Sequence, residues 1–325
     1  MVEAPLLCAH ALGVSINGSR IVSGVDLSVA RGEILALVGE SGCGKSMTAL
    51  SILGLEPGAA RVEGEIVLEG TDLSRVPRRA ARTLRRKAMS VIFQEPVTAL
   101  NPLMKVGEQV AEALIMTGHA DGASARAAAI EAMARVGISD PEQRFGQYPF
   151  ELSGGMCQRI SIAAALISKP RLLIADEPTT ALDVTIQAAI LDLMKALQRE
   201  TGMGMILITH DMGVVAEMAD RVAVMYAGQI VETGPVHRLF ARPAHPYTSL
   251  LLSTIPRLSG QRKTELRTIS GTVPDVGRWP EGCRFRTRCP LADEACATVP
   301  PLAARDEQGL HLSACWHTDR MGALA

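Results

Sequence analysis

Residues 34–55 read ILALVGESGCGKSMTALSILGL, and this stretch decides the fold. Residues 34–38 are aliphatic, as in a strand that is buried within a sheet. A glycine-rich segment follows at 39–46, and the apolar spacing after it predicts a helix that begins near Gly44. The stretch therefore predicts a strand, a loop and a helix in immediate succession.

The loop fits the pattern G-x-x-x-x-G-K-[ST], which binds phosphate when it lies between a strand and a helix. Its glycines let successive backbone N–H groups point at one anion, and the helix N-terminus adds the positive end of its dipole. We expect Lys45 to bridge the β- and γ-phosphates of a nucleotide and the Ser46 hydroxyl to bind Mg²⁺. The predicted ATP-binding residues of the loop are Gly39, Glu40, Ser41, Gly42, Cys43, Gly44, Lys45 and Ser46, with Cys43 as a small filler.

A second aliphatic strand, at 171–176, ends in Asp176, and Glu177 follows directly. An acidic residue at the carboxyl end of a strand suits an outer-sphere ligand of Mg²⁺. A carboxylate next to it can orient the water molecule that attacks the γ-phosphate. Together with the phosphate loop, the pair predicts hydrolysis of a nucleoside triphosphate, with Glu177 as the catalytic residue.

Residues 152–159 read LSGGMCQR and precede the apolar segment ISIAAALI. We expect Ser153 to be the N-cap of a helix, and Gly154 and Gly155 to present exposed amides at its start. These amides form a further phosphate-binding surface, which a chain with its own phosphate loop does not need. The hypothesis that follows is that this surface faces a nucleotide held by a partner chain.

The composition of the 325-residue chain is that of a globular α/β protein, with 47% hydrophobic residues, 3% aromatic residues and a formal net charge of -1. This neutral balance excludes a global positive field that would bind nucleic acid. The basic segment 75–87 contains no aromatic residue, and we interpret it as a solvated helix face. No apolar run reaches the roughly 18–20 residues of a membrane span, and the N-terminus lacks the features of a signal peptide, so we expect a cytosolic chain.

Beyond the loop, the pattern predicts an α/β order with a helical subdomain at about 97–166, a helix from about 185 to 201 and further strands up to about 234. Prolines then become frequent and the periodicity weakens. We therefore place a domain boundary near Gly234. It divides the chain into a nucleotide-binding domain at 1–235 and a small irregular extension at 236–325.

The extension contains four of the seven cysteines, with the spacing C-x5-C-x6-C-x18-C; they are Cys283, Cys289, Cys296 and Cys315. Four thiolates suffice for a [4Fe–4S] cluster or for an all-thiolate zinc site. The tight C-x2–4-C pairs of most structural zinc sites are missing, which favours iron–sulfur. Zinc, with His311 or His317 as substitute ligands, and four unligated buried thiols remain as alternatives.

Together these motifs resemble the ATP-binding cassette (ABC) ATPases over roughly residues 5–235. The matching positions are Gly39 to Ser46, Gln94, Leu152 to Gln158, Asp176 and Glu177, Ala181 to Asp183, and His210. The resemblance implies an α/β fold with a RecA-like P-loop NTPase core and a helical subdomain. It also implies that paired cassettes enclose ATP head to tail.

The resemblance assigns roles to individual residues. The residues implied to act on the partner's nucleotide are Ser153, Gly154, Gly155 and Gln158. Gln94 is implied to contact Mg²⁺, which Ser46 and Asp176 also hold, and to lie at the membrane-facing coupling region. Asp183 is implied to lie in the loop between the paired sites, and His210 to touch the γ-phosphate.

One position departs from the family. Its members commonly stack an aromatic ring on adenine, and that position falls here on Arg20, with no aromatic residue nearby. A planar guanidinium can stack on a base, so we expect Arg20 to contact the adenine of ATP.

A finer resemblance is to the ATPase subunits of oligopeptide and dipeptide importers. It rests on FQEP at 93–96, ALNP at 99–102, YPFE at 148–151, HPYT at 245–248 and the C-terminal cysteines, in a region where some of these importers bind an iron–sulfur cluster. The implied partners are another ATPase subunit, by preference a different chain in a heterodimer, a pair of transmembrane permease subunits and an extracytoplasmic peptide-binding protein. The implied location is the cytoplasmic face of the inner membrane.

The sequence thus predicts an ATP-hydrolysing subunit that energises the import of dipeptides or oligopeptides through a membrane permease. The ATPase of a nickel or other small-solute importer shares nearly every motif and stays open as an alternative. Soluble ABC proteins that act on nucleic acid or the ribosome form a different class, and they usually carry paired cassettes or long inserted arms. This chain shows neither feature, and we expect no nucleic-acid partner.

Overall fold

The computed structural model describes residues 4–118, 121–180, 182–255 and 269–324. The chain forms two compact units. Unit 1 consists of Met1–Leu6, Val29–Glu33 and Leu73–Leu207, and unit 2 consists of Leu7–Ser28, Ile34–Asp72 and Ile208–Ala325. Each unit is therefore built from segments that are distant in the sequence. The predicted boundary near Gly234 falls inside the last segment of unit 2 and stays a prediction.

Strands and helices alternate along most of the chain. The strands are β1 (Leu7–Ile16), β2 (Ser19–Val29), β3 (Ile34–Val38), β4 (Ala60–Leu68), β5 (Thr71–Asp72), β6 (Met89–Ile92), β7 (Leu172–Asp176), β8 (Gly204–Thr209), β9 (Arg221–Tyr226), β10 (Gln229–Pro235), β11 (Ala303–Ala304) and β12 (Leu312–Ser313). The α-helices are α1 (Lys45–Leu53), α2 (Arg78–Ala88), α3 (Pro96–Ala99), α4 (Val106–Met116), α5 (Gly122–Arg135), α6 (Pro141–Arg144), α7 (Gly154–Leu166), α8 (Val184–Thr201), α9 (Met212–Met218), α10 (Val236–Ala241) and α11 (Pro246–Ser253). Short 3-10 helices lie at Pro149–Glu151, Glu294–Ala297 and Thr318–Leu324.

Unit 2 contains an antiparallel sheet with the strand order β2-β1-β4-β5 and the strand run β11-β12-β10-β9-β3. β3 pairs with β9 in parallel, and all of its residues are buried, as is typical of a parallel strand. Val38, the last residue of β3, is paired with Val224 of β9. The phosphate loop therefore begins beside the carboxyl end of β9.

The C-terminal extension shares the core of unit 2. Tyr226, Tyr247 and Phe285 are fully buried in one apolar cluster that also contains Val38. Their ring centroids lie 4.8 to 5.4 Å apart, and such aromatic pairs add stability beyond the area that they bury. The extension has few regular elements, as the sequence predicts. Its residues Tyr247 and Phe285 nevertheless complete a core that also contains Val38, the residue directly before the phosphate loop.

A buried carboxylate joins the extension to β10. Glu232 is fully buried, and it accepts the backbone N–H groups of Ala244 at 2.7 Å and His245 at 3.0 Å. Its carboxylate also lies 2.7 Å from Nε2 of His311, next to β12. Burial lowers the pKa of His245 to about 3, so this ring is neutral. The structure thus pairs His311, a substitute zinc ligand in the sequence analysis, with Glu232.

Unit 1 contains the strand run β8-β7-β6, in which β6 and β7 are parallel, and the helices α2 to α8. The helices α3 to α7 occupy the range of about 97–166 in which the sequence predicts a helical subdomain, and the subdomain itself stays a prediction. The start of α4 is fixed by hydrogen bonds from Val106 N–H to the carbonyl of Gln147, at 2.8 Å, and from Gly107 N–H to that of Phe145, at 3.2 Å. These bonds position the segment that leads to Ser153.

Across the described ranges, no helix has both the length and the apolar character that a membrane crossing requires.

Candidate functional site

The phosphate loop, residues 39–46, connects β3 to α1 and has glycine where a side chain has no room. Gly39 has a φ of +152°, and a Cβ atom there would lie 2.1 Å from the carbonyl oxygen of Met225. Gly44 is the N-cap of α1, with a φ of 108° and no side-chain cap hydrogen bond. The first amides of α1 are therefore not satisfied by a capping side chain, which leaves them for an anion.

The side chains of Lys45 and Cys43 are buried at the phosphate loop. The Lys45 side chain is buried, and its ammonium donates hydrogen bonds to the carbonyl oxygens of Gly39, at 2.8 Å, and Glu40, at 3.1 Å. These bonds hold the ammonium against the loop, where a phosphate oxygen can replace a carbonyl as its acceptor. Burial raises the pKa of the Cys43 thiol, so this residue is protonated, as a filler should be. Ser46 is exposed, and its hydroxyl is accessible to a metal ion.

Two residues of the extension hold Glu40, and the sequence analysis did not find this role for either of them. Arg288 donates to both carboxylate oxygens of Glu40, at 2.6 and 3.0 Å, and the Tyr247 hydroxyl accepts the Glu40 backbone N–H at 2.8 Å. Burial alone would lower the pKa of Arg288, but the hydrogen bonds to Glu40 and Tyr226 outweigh it and raise this pKa. Tyr247 belongs to the HPYT motif and Arg288 adjoins Cys289, so the sequence analysis singled out both segments. It did not predict that both residues contact Glu40.

In unit 1 the structure brings together Gln94 and Glu177. Glu177 follows β7 with a φ of 46°, a left-handed conformation that residues other than glycine rarely adopt. Its Oε2 accepts hydrogen bonds from Gln94 Nε2 and Thr180 Oγ1, each at 2.9 Å. These donors fix the orientation of the carboxylate, as a group that must align a water molecule requires. Asp176 directly precedes it at the end of β7.

The LSGG segment begins α7 as the sequence predicts. Ser153 is the N-cap and accepts the Met156 backbone N–H at 3.3 Å. Ser153 and Gly154 are exposed, whereas Gly155 and Gln158 are buried. Among the described residues, the side-chain amide of Gln158 has no hydrogen-bond partner for either of its polar atoms. A contact between Gln158 and a partner's nucleotide stays a prediction, and it would require this side chain to move.

Three other predicted residues lie on exposed surfaces. Asp183 caps α8, while Ala181 of the same motif lies outside the described residues. His210 is exposed where β8 ends, in unit 2. The Arg20 guanidinium forms an ion pair with Glu63 at 2.5 Å, so its contact with adenine stays a prediction that would compete with this pair.

The cysteines of the extension converge. Cys296 is buried, and Cys283, Cys289 and Cys315 are half-buried. Burial raises the pKa of these three half-buried thiols, and other cysteines of the group also raise it; the pKa of Cys289 is about 11 as a result. Charges influence one another mainly at short range, and the Cys283 backbone N–H donates to the Cys296 carbonyl at 3.0 Å, so members of the group lie near one another. Buried thiolates require a positive centre, which makes this donor set suitable for a metal ion or cluster.

A second donor group overlaps with the thiols at Cys296. Ligand atoms of Asp293, Cys296 and His317 lie within 4.8 Å of one another. His317 Nε2 is 2.9 Å from an oxygen of Asp293, and the His317 backbone N–H donates to the Cys315 sulfur at 3.3 Å. This compact group of mixed donors suits one zinc ion, because ligand atoms around zinc lie about 2.0–2.3 Å from the metal.

Comparisons with known proteins agree with this geometry. The chain matches the family model of the ABC transporter over residues 22–180 and that of the oligopeptide/dipeptide transporter C-terminal region over residues 231–296. It is 52% identical over 309 residues to a putative peptide import ATP-binding protein of Brucella ovis, with 90% of each chain covered. It is 49% identical to a dipeptide transport ATP-binding protein of Bacillus subtilis, over 92% of this chain and 89% of the relative.

Solved structures show the same cassette. A dimeric ATP-binding cassette in a post-hydrolysis state, bound to ADP and Pi, is similar with a TM-score of 0.63 and 26% identity, over 71% of this chain and 98% of that chain. The cassette fold predicted from the sequence is thereby confirmed.

A pair of substitutions at Ser153 separates capping from phosphate recognition. Asn and Asp cap helices about as well as Ser, so Ser153→Asn and Ser153→Asp should both keep the stability of the protein. The added negative charge of Asp would repel a γ-phosphate that approaches α7. We expect Ser153→Asp to hydrolyse saturating ATP about tenfold more slowly than Ser153→Asn, measured as steady-state phosphate release by the assembled ATPase dimer. Equal rates would contradict a phosphate contact at Ser153.

Proposed function

The chain belongs to the ABC transporter family of ATP-binding proteins, and we propose that it is the ATP-hydrolysing subunit of an importer of dipeptides or oligopeptides. Its relatives with about half of their residues identical are named as peptide, dipeptide and oligopeptide transport ATP-binding proteins. The observation that carries the ATPase mechanism is the Glu177 carboxylate, which Gln94 and Thr180 orient in a chain that also contains a phosphate loop.

The phosphate loop supplies the binding step. Lys45 and the amides at the start of α1 bind the phosphates, and the Arg20 guanidinium stacks on the adenine. The Ser46 hydroxyl, the Gln94 side chain and the Asp176 carboxylate are oxygen donors of the kind that Mg²⁺ prefers. Bound Mg²⁺ would neutralise charge on the β- and γ-phosphates.

Glu177 supplies the hydrolytic step. Its oriented carboxylate aligns the attacking water and accepts a proton from it, because Gln94 and Thr180 hold the carboxylate in a single direction. His210 is exposed at the end of β8 and donates a hydrogen bond to the γ-phosphate as negative charge develops there. Removal of either group should slow hydrolysis more than it weakens ATP binding.

A partner ATPase completes the site. Ser153 and Gly154 are exposed at the N-terminus of α7, which can receive a phosphate from another chain. Asp183 contributes to the surface between the paired chains, and we propose a heterodimer with a related ATPase subunit. ATP binds the closed pair better than the open pair, and this difference in affinity drives the permease between its conformations.

Exposed apolar side chains in unit 1 suit contact with a permease. Phe93, Leu103 and Phe150 are 43%, 86% and 74% exposed, and Phe150 stacks on Tyr148 with ring centroids 5.5 Å apart. Phe93 directly precedes Gln94, so a partner that contacts this ring acts next to the group that orients Glu177. A permease that covers these side chains would remove their apolar area from water, which favours association. We place the chain at the cytoplasmic face of the inner membrane, bound to a pair of permease subunits. An extracytoplasmic peptide-binding protein delivers peptide to these permease subunits.

We further propose that Cys283, Cys289, Cys296 and Cys315 bind a [4Fe–4S] cluster. The irons of a cluster bind separate thiolates, so the ligands stand further apart than around a single ion. The number of thiols supports the cluster proposal, whereas the compact group at Asp293, Cys296 and His317 contains only one of them and would suit a single ion. Zinc at the compact group is the alternative.

Replacing Glu177 by Gln tests the ATPase mechanism. The amide keeps the shape of the side chain but cannot accept a proton, so Glu177→Gln should bind ATP with unchanged affinity and hydrolyse it about a thousandfold more slowly. Glu131→Gln, on the exposed face of α5, is the matched control and should retain full turnover. Phosphate release and nucleotide affinity of the purified ATPase dimer are the measurements. Turnover of Glu177→Gln at the rate of the control would remove Glu177 from the catalytic role.

Anaerobic purification followed by an absorbance spectrum and by iron, sulfide and zinc analysis tests the metal proposal. We expect about four irons and four sulfides per chain. Cys283→Ser should lose them, whereas Cys8→Ser, a cysteine in β1, should retain them. Zinc without sulfide, or a metal-free protein, would contradict the cluster and leave the ATPase proposal intact.

A further inference from the structure

An ion pair between Glu40 and Arg288 connects the phosphate loop to the extension. It is bidentate, with nitrogen–oxygen distances of 2.6 and 3.0 Å. The side chains of Arg288 and Glu40 are 4% and 29% exposed, so water screens the pair only in part. Exposed ion pairs contribute little, but a partly buried and bidentate pair fixes the geometry of both partners.

Backbone carbonyl groups anchor Arg288 from its other side. Its Nε donates to the carbonyl oxygen of Ser270 at 2.8 Å, and Nη2 reaches those of Gly271 at 3.2 Å and Ile269 at 3.4 Å. The guanidinium therefore cannot follow a movement of Glu40 without breaking bonds to the extension. Arg288 is a fixed point against which the phosphate loop is held.

The backbone of Glu40 is held from the extension as well. Its N–H donates to the hydroxyl of Tyr247, at 2.8 Å, and the Tyr247 ring is fully buried against Phe285 and Tyr226. Burial raises the pKa of the Tyr247 hydroxyl, so it stays protonated. The side chain and the backbone of Glu40 thus have separate partners, both beyond residue 235.

The negative charge of Glu40 must be compensated by a nearby cation if the loop is to bind phosphate. A carboxylate within a phosphate-binding loop repels the triphosphate unless an opposite charge compensates it. The ammonium of Lys45 donates to the loop carbonyl groups, whereas Arg288 directly contacts the carboxylate. Loss of Arg288 would leave a partly buried, uncompensated negative charge in the loop.

We propose that Arg288 is a positioning residue for ATP binding, which neutralises Glu40 and holds the phosphate loop in the shape that accepts the phosphates. The residue acts through Glu40, which is 248 positions away in the sequence. The proposal rests on ATP binding by this chain and adds a requirement that none of the cassette motifs contains.

A rescue experiment in the full-length protein tests this role. Arg288→Met should weaken the binding of MgATP about tenfold, because one negative charge near the phosphates is no longer compensated. Adding Glu40→Gln removes that charge, so the double variant should regain most of the lost affinity. Arg286→Met is the matched control, since the Arg286 guanidinium is bound to the Glu281 carbonyl at 3.1 Å and not to the loop. Its affinity should equal that of the wild type.

Equilibrium binding of a fluorescent ATP analogue with Mg²⁺ is the measurement, with thermal unfolding and metal content recorded for each variant. If Arg288→Met does not fold, Arg288→Gln is used in the same comparison, since it can still donate to a carbonyl group. Unchanged affinity in the single variant, or a double variant as weak as the single one, would overturn the proposal. A wild-type protein that does not bind MgATP would instead overturn the proposed function.

Discussion

The phosphate loop can present its amides to an anion only while its backbone keeps its shape, and contacts from outside the loop contribute to holding that shape. Gly39 lies so close to the Met225 carbonyl that no side chain fits, and the Gly228 N–H donates to the Cys43 carbonyl at 2.8 Å. Glu40 is held by Tyr247 and Arg288. The parallel pairing of β3 with β9 and the aromatic cluster below the loop both serve this constraint.

Local pattern was enough to predict the elements that carry the motifs of the proposed ATP site. The order of strand, loop and helix, the two carboxylates at the end of β7 and the cap at Ser153 each depend on neighbouring residues. The structure has them where the sequence predicts them. The ion pair between Glu40 and Arg288 joins positions 248 residues apart, and no periodicity encodes such a contact. The burial of Phe285 in the core of unit 2 depends on tertiary packing in the same way.

The sequence analysis did not predict the antiparallel strands β1 and β4. Neither strand has a continuous apolar run, and buried and exposed residues do not alternate regularly along either of them, so the sequence shows no clear strand pattern there. The sequence also did not predict the burial of Gln158. Side-chain amides are ordinarily hydrogen-bonded or solvated, whereas the Gln158 amide is buried and has no hydrogen-bond partner among the described residues. Glu177, the residue proposed for catalysis, departs from local preference in its left-handed backbone, while Gln94 and Thr180 donate to its carboxylate.

Transport of a peptide at the expense of ATP is the most direct test of the proposed function. The chain would be reconstituted in proteoliposomes with its permease, partner ATPase and peptide-binding protein, with labelled dipeptide on the side opposite the ATPase subunits. We expect MgATP to drive accumulation of the peptide with the wild-type chain and not with Lys45→Ala, and to drive no uptake of nickel. Accumulation of nickel without peptide, or peptide uptake that does not depend on ATP, would contradict a peptide-importing ATPase.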